Sequence, residues 1–132
     1  MSQEHVDLIR RAYERFNGGE KVPPDDLWHS DSEYINSAND PDPEVHRGIE
    51  AVRKQFKKWV DIYPDLNVEP VEFLDKGDRV FVWTHWTGRA ATSGAPVEMQ
   101  MAQVWTVDGG KIRRGEEYYD RAEALKAAGL SE

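Results

Sequence analysis

Apolar residues follow a helical spacing in the first half of the chain. Over residues 3–17 they recur every three or four positions and then give way to an Asn-Gly-Gly sequence. The same spacing returns over residues 49–63 and stops before Pro64. A repeat of this period buries one side of an α-helix, and glycine or proline ends it. The pattern therefore predicts two long amphipathic helices, over 3–17 and 49–63.

The segment between these two helices is polar and contains several prolines. Two prolines precede Asp25–His29, and because proline favours the first turn of a helix, we expect a short helix there. Residues 33–37, EYINS, indicate a short strand. The following ANDPDPEV, residues 38–45, combines polar side chains with two prolines and predicts an exposed loop.

After Pro64 the pattern changes to an alternation of apolar and polar residues, which is typical of half-buried strands. The sequences DKGD, TSGAP and VDGGK interrupt it and are typical of hairpin turns. We expect strands over 66–75, 78–91, 96–107 and 111–119 and a last helix over 120–130. Helices followed by a run of strands predict the α+β class, with helices on one face of a curved antiparallel sheet. Since no linker divides the chain, we expect one domain, residues 1–132.

A glutamine interrupts the apolar face of the strand MQMAQVWTV, residues 99–107. Every second side chain from Met99 onwards is large and apolar except Gln103. A buried amide without partners costs about 1–3 kcal/mol. Gln103 is therefore either tied into a local hydrogen-bond network or lines a cavity in which a ligand bonds to it.

Composition and charge narrow the classes of function. The chain has 132 residues and a net charge of −8, with no basic block, so we expect neither nucleic acid nor an anionic membrane surface as a partner. It contains no cysteine, which excludes disulfides, thiolate metal sites and a cysteine nucleophile. The N-terminal segment is charged and lacks an apolar run, so we expect no signal peptide, no membrane span and a cytoplasmic location.

The histidines do not predict a metal site. They are spread over the chain, and no two of them share a helix turn. The usual zinc spacings are missing as well. We expect no bound metal and no cofactor.

Four segments resemble the nuclear transport factor 2-like superfamily and, within it, the SnoaL-like branch. In chain order they are HRGIEAVRKQF, FLDKGDRVFV, AQVWTVDGGKI and YYDRAEALKAAGL. The resemblance covers nearly the whole chain. It implies the cone-shaped, cystatin-like α+β barrel of these proteins, with a pocket between the curved sheet and the helices. The fold also carries ketosteroid isomerases and non-catalytic binders, so it does not fix the function.

The resemblance to SnoaL-type polyketide cyclases implies catalytic roles for two polar residues. Gln103 stands where these cyclases carry a histidine, and Glu117 stands where they carry an aspartate. A carboxylate in an apolar pocket has a raised pKa and can act as an acid or a base near neutral pH. Alternatively, Glu117 forms a structural ion pair with Arg113, two residues away. We expect burial to outweigh Arg113 and to raise the pKa of Glu117.

Tyr34 and Asn36 resemble the tyrosine and asparagine that hold the attacking water in limonene epoxide hydrolases. Together with Glu117 they form a set that can fix and deprotonate a water. Those hydrolases also use an arginine and an aspartate, where this chain has Thr84 and Trp86. The half of the mechanism that protonates the epoxide is therefore absent. Candidate ligand-binding residues beside this set are Tyr13, Trp28, Phe56, Met99, Met101 and Trp105.

Three functions are consistent with these candidate residues and the expected pocket. The first is a cofactor-independent enzyme that carries out acid–base chemistry on a hydrophobic, oxygenated small molecule, as a cyclase, isomerase or hydrolase. The second is a non-catalytic binding or carrier protein with the same pocket. The third is a protein-interaction module with a filled interior. Because the strand over 78–91 is bulky on both faces, we also expect a homodimer through the outer face of the sheet.

Overall fold

A computed structural model describes residues 2–130 and has the expected order of helices before strands. Helix α1 spans Ser2–Asn17, α2 spans Ile49–Ile62 and α3 spans Arg121–Ala127. The strands are β1 (Trp28–Asn36), β2 (Glu44–Arg47), β3 (Asn67–Lys76), β4 (Arg79–Arg89), β5 (Pro96–Asp108) and β6 (Lys111–Tyr118). The two long helices and the four later strands lie within about two residues of their predicted bounds.

The strands form one sheet in the order β2-β1-β6-β5-β4-β3. Neighbours are antiparallel except β1 and β6, which run parallel. The α+β class is confirmed. The sheet differs from the fully antiparallel, barrel-like expectation because it is mixed and its edge strands β2 and β3 do not close on each other.

The segment between α1 and α2 was predicted least well. The short helix expected at Asp25–His29 is wrong: turns lead from Pro24 into β1, which begins at Trp28. The expected strand over 33–37 is the second half of this longer strand. The predicted loop over 38–45 includes the start of β2, whose residues pair with β1. Pairing with β6, about 80 positions later in the chain, fixes β1, and local sequence does not reveal such a contact.

The two faces of the sheet are covered differently. The inner face packs against α1 and α2 and forms the main core, with Ile9, Val52 and Val82 at its centre. On the outer face, Phe81 and Val104 pack against α3 of the same chain. Part of the apolar surface that motivated the predicted homodimer is thus covered within one subunit, and the dimer stays a prediction. Among the described residues, the helices are too short or too polar to span a membrane.

Candidate functional site

Three adjacent strands place the predicted polar residues on one patch of the inner face. In the pairing register, Tyr34 of β1 lies beside Gly115 of β6, and Gly115 lies opposite Trp105 of β5. Glu117, two residues further along β6, lies opposite Gln103. The parallel β1–β6 pair therefore brings residues from the two ends of the chain together.

Gly115 makes room for the rings on either side of it. A Cβ at this position would lie 2.4 Å from Trp105 Cζ3 and 2.7 Å from Tyr34 Cδ1. Such distances are far below van der Waals contact, and both rings belong to the packed core. Because Gly115 has no side chain, the rings of Tyr34 and Trp105 can lie over β6 at this position.

Glu117 is a buried carboxylate with a hydrogen bond at each oxygen. Its side chain is only 4% exposed. The Tyr34 hydroxyl donates to Oε2 at 2.6 Å, and Asn36 Nδ2 donates to Oε1 at 3.3 Å. Burial raises the pKa of Glu117, although hydrogen bonds from Tyr34, Asn36 and the Ser37 backbone oppose this rise. The carboxyl group is therefore easier to protonate than a glutamate in water, as the sequence predicted.

A chain of hydrogen bonds leads from the core to Glu117. Trp105 Nε1 donates to the Tyr13 hydroxyl at 2.9 Å, and Tyr13 donates to Gln103 Oε1 at 2.5 Å. Gln103 Nε2 then donates to the Tyr34 hydroxyl at 2.7 Å, and Tyr34 donates to Glu117. Every donor in this chain points toward the carboxylate. Burial raises the pKa of both tyrosines above the ordinary range, so both phenols stay protonated as donors.

A second branch approaches Glu117 from the edge strand β2. His46 Nε2 lies 2.6 Å from Asn36 Oδ1. Since Asn36 turns its amide nitrogen to Glu117, its oxygen faces His46 and accepts a hydrogen bond from Nε2–H. Glu44, at the start of β2, lies 3.5 Å from the same His46 nitrogen.

Glu117 lies at a cavity of about 270 Å³, which we call the large cavity because the space beside it is smaller. Its polar lining is Asn36, Ser37, Glu44, Gln55 and Glu117. The rest is apolar or aromatic: Trp59, Tyr63, Leu66, Trp86, Val97, Met99, Met101 and Tyr119. A concave, mostly apolar space with a few polar groups is the usual form of a small-molecule site.

A smaller cavity of about 50 Å³ lies on the other side of Trp59 and Trp86, which line both spaces. Their indole rings meet edge to face, with centroids 5.2 Å apart. We call this second space the small cavity. Its inner lining includes Tyr13, Trp28, Phe56, Gln103 and Trp105.

The structure divides the predicted site residues between the two cavities. Asn36, Glu117, Met99 and Met101 line the large cavity, whereas Gln103 and the predicted binding residues Tyr13, Trp28, Phe56 and Trp105 line the small one. Tyr34 is fully buried between them and links Gln103 to Glu117. Of the two possibilities left open for Gln103, the local network is present, because both polar atoms of its side chain are bonded to tyrosines.

Arg113 does not neutralise Glu117. Between the pairs Thr106–Arg114 and Val107–Ile112, Arg113 is the extra residue of a bulge in β6. In a regular strand, side chains an even number of positions apart lie on the same face. The bulge interrupts this alternation between Arg113 and Glu117. Its guanidinium lies 3.4 Å from Asp108 instead. The predicted ion-pair alternative is therefore wrong.

Sequence reasoning missed several residues of the site. His46 lies on β2, a strand that the sequence did not predict. Gly115 carried no sign of its role beyond its small size. Trp59 and Trp86 fell within apolar stripes, where cavity-lining and core residues look alike. Gln55 carried a usable sign, since it is a polar residue on the buried side of α2. Among residues 2–130, no group of histidines and carboxylates could hold a metal ion.

One comparison with known proteins identifies a family. The sequence profile of the SnoaL-like domain matches residues 9–115. No curated protein matches the chain in sequence.

Several solved structures share the fold at low sequence identity. A protein described as a SnoaL-like polyketide cyclase from Jannaschia sp. CCS1 is 17% identical and superposes with a TM-score of 0.76, over 100% of this chain and 95% of the other. IdmH of Streptomyces antibioticus, described as a polyketide cyclase, is 21% identical with a TM-score of 0.72, over 95% and 98%. A protein with a ketosteroid isomerase-like fold from Catenulispora acidiphila, solved with trimethylamine, is 18% identical with a TM-score of 0.72, over 93% and 92%.

Proposed function

The chain belongs to the SnoaL-like domain family, and from this premise we propose that it is a cofactor-independent acid–base enzyme acting on a small molecule. Glu117 is the group that takes up or delivers the proton. The substrate is hydrophobic and oxygenated, and the reaction is a cyclisation, an isomerisation or a hydration. Two structural neighbours that are described as polyketide cyclases support this class of chemistry.

One observation carries the proposal: a buried carboxylate with a raised pKa lines a cavity of about 270 Å³. General acid–base catalysis is most efficient when the pKa of the catalytic group approaches the working pH. Burial moves Glu117 in that direction. Because Arg113 pairs with Asp108 rather than with Glu117, no ion pair with Arg113 holds the carboxylate permanently charged.

The neighbours of Glu117 have separate tasks in this proposal. Tyr34 and Asn36 each donate to one carboxylate oxygen, so they stabilise its ionised form and fix its orientation. Gln103 acts through Tyr34, since its amide donates to the Tyr34 hydroxyl. Met99, Met101, Trp59 and Trp86 contribute the apolar wall against which a hydrophobic skeleton packs.

Proton exchange tests this role without the physiological substrate. A panel of hydrophobic ketones such as 2-tetralone is incubated with the protein in D2O, and deuterium incorporation next to the carbonyl is followed by NMR. We expect the protein to accelerate exchange of at least one ketone. Glu117→Gln keeps the shape of the side chain and should lower this acceleration by about 100-fold or more.

The matched control is Glu116→Gln, because Glu116 is the adjacent residue of β6 and bonds to Tyr118 rather than to the site. It should exchange the ketone at the wild-type rate. Equal exchange by wild type and Glu117→Gln would overturn the catalytic role of Glu117.

A non-catalytic carrier is the alternative, and one observation favours it. Both Glu117 oxygens already accept hydrogen bonds within the protein, an arrangement that also fits a structural carboxylate. In that case members of the panel bind, but none exchanges faster than in buffer. A protein-interaction module with a filled interior is not favoured, because the large cavity lies beside Glu117.

A further inference from the structure

We propose that the large cavity selects a hydrophobic ligand with a positively charged nitrogen, held by the carboxylates of Glu117 and Glu44 and by the aromatic rings beside them. This inference rests on the proposed function and specifies its ligand. The substrate is then an oxygenated molecule that also carries a protonated or alkylated amine.

The charge of the lining is the first argument. Glu117 and Glu44 both line the large cavity, and none of the described residues that line it is a lysine, arginine or histidine. By contrast, the lining of the small cavity includes Arg15 and Lys21 together with Glu20, which forms an ion pair with Arg15. His46 lies 3.5 Å from Glu44 but is not part of the lining. Two carboxylates in a lining without lysine or arginine attract a positive ligand and repel an anionic one. A carboxylate or phosphate ester is therefore a poor occupant of the large cavity.

The aromatic residues are the second argument. Trp59, Tyr63, Trp86 and Tyr119 all line the same space as the two carboxylates. Tryptophan and tyrosine faces attract ammonium groups, and sites for alkylated ammonium ligands combine several such rings. Met99 and Met101 add polarizable, adaptable side chains for an attached apolar skeleton. The lining thus offers an apolar wall and a place for positive charge.

Free acceptor capacity is the third argument. Each Glu117 oxygen accepts one side-chain hydrogen bond, although a carboxylate oxygen can accept more than one. Gln55 also lines the cavity, and its Oε1 is buried without a hydrogen-bond partner among the described residues. A neutral hydroxyl could donate to these oxygens, but only an ammonium group would also balance the charge of Glu117.

A matched pair of probes separates charge from shape. Benzyltrimethylammonium and neopentylbenzene have the same skeleton, with a quaternary nitrogen in the first replaced by carbon in the second. Each is titrated into the ¹⁵N-labelled wild-type protein, and the indole N–H signals of Trp59 and Trp86 report binding. We expect the dissociation constant of the cation to be at least about 10-fold lower than that of the isostere.

Charge-neutral variants locate the contact. Glu117→Gln should raise the dissociation constant of benzyltrimethylammonium by about 10-fold and Glu44→Gln by about 3-fold, because Glu44 is exposed to solvent that screens its charge. Glu98→Gln is the control, since Glu98 bonds to His85 and does not line the cavity. Binding of neopentylbenzene should be the same in all of these proteins.

The outcomes distinguish this inference from the proposed function. Equal affinity of the two probes for the wild-type protein would overturn the inference of a cationic ligand. This comparison needs no variant. Cation binding that is unchanged by both Glu117→Gln and Glu44→Gln overturns it too. If ketone exchange depends on Glu117 while the cation does not bind, the proposed function stands and this inference falls. If the cation binds and no ketone exchanges, the ligand class stands and the catalytic role falls.

Discussion

The two cavities share a wall but differ in size, charge and use of hydrogen bonds. In the small cavity, Tyr13 and Gln103 bond to each other and to their neighbours, and the space is about 50 Å³. The large cavity is about 270 Å³ and contains Glu117. Polar groups in the small cavity are thus satisfied within the protein, whereas the large cavity combines a buried carboxylate with open volume.

This difference shows that buried polar residues of one hydrogen-bond network can serve two roles: some support the network, and others face the space where a ligand can bind. The donors of Tyr13, Gln103 and Tyr34 follow one another toward Glu117. We infer that the small cavity is the supporting side of the network and the large cavity is the reacting side. Four experiments test this difference between the two cavities.

The largest effect is expected for Gly115→Ala. The added Cβ would fall 2.4 Å from Trp105 and 2.7 Å from Tyr34, and inserting an atom into a packed core costs about 1–3 kcal/mol, with more where rigid rings must move. We expect a loss of about 3 kcal/mol in urea unfolding and displacement of Tyr34 between the cavities.

Gly88→Ala is the control for this change, since a Cβ there would meet its nearest atoms at 3.4 Å, an ordinary contact. It should leave the urea midpoint near that of the wild type. A Gly115→Ala protein as stable as the wild type would mean that Gly115 does not set the position of the rings.

The next effect is expected for Tyr34→Phe, which removes the link between the two sides. The Tyr34 hydroxyl accepts from Gln103 and donates to Glu117, so its loss leaves a buried carboxylate oxygen and a buried amide without this partner. We expect a loss of about 2–3 kcal/mol in the free energy of unfolding. The pKa of Glu117, measured by carbon-detected NMR, should rise further, because the Tyr34 hydrogen bond lowers it.

Tyr63→Phe is the control, because it removes a hydroxyl from the lining of the large cavity. It should change neither the free energy of unfolding nor the pKa of Glu117 measurably. An unchanged pKa of Glu117 in Tyr34→Phe would contradict the direct bond between the two residues.

A somewhat smaller effect is expected for Gln103→Leu on the supporting side. The change keeps most of the volume but removes the acceptor for Tyr13 and the donor for Tyr34. We expect a loss of about 1–2 kcal/mol, with the large cavity still able to bind the panel of ketones. Gln100→Leu is the control on an exposed position of the same strand. Loss of ligand binding without loss of stability would instead assign Gln103 to the reacting side.

The smallest effect is the pH dependence that Glu117 imposes on stability. Because burial raises the pKa of Glu117 above its ordinary value of 4.5, the folded state binds the proton more tightly than the unfolded state. The favourable contribution of Glu117 to folding stability is therefore complete below about pH 4.5. It is lost as the pH rises through the pKa that Glu117 has in the folded state. Urea unfolding from pH 4 to 8 should show wild type losing stability relative to Glu117→Gln. A wild type that gains stability relative to Glu117→Gln over this range would require a lowered pKa of Glu117.

The later strands could be predicted from the sequence because each has one face in the core and one toward solvent or α3. In β5, for example, Met101, Gln103 and Trp105 alternate with outward residues. Strand β1 was predicted only in its second half, because its parallel partner β6 is remote in sequence. Glu117 could be proposed from the family resemblance, whereas its separation from Arg113 depends on a bulge that no periodicity reveals.

The wall of Trp59 and Trp86 has a consequence for communication within the molecule. The two indoles meet edge to face, so a ligand that pushes one ring from the large cavity also moves the boundary of the small one. Occupants on opposite sides would then compete without touching. By thermodynamic reciprocity, each would weaken the other by the same factor. The aromatic pair would thus act as a movable partition, so that a ligand in one compartment lowers the affinity of the other compartment for its own ligand.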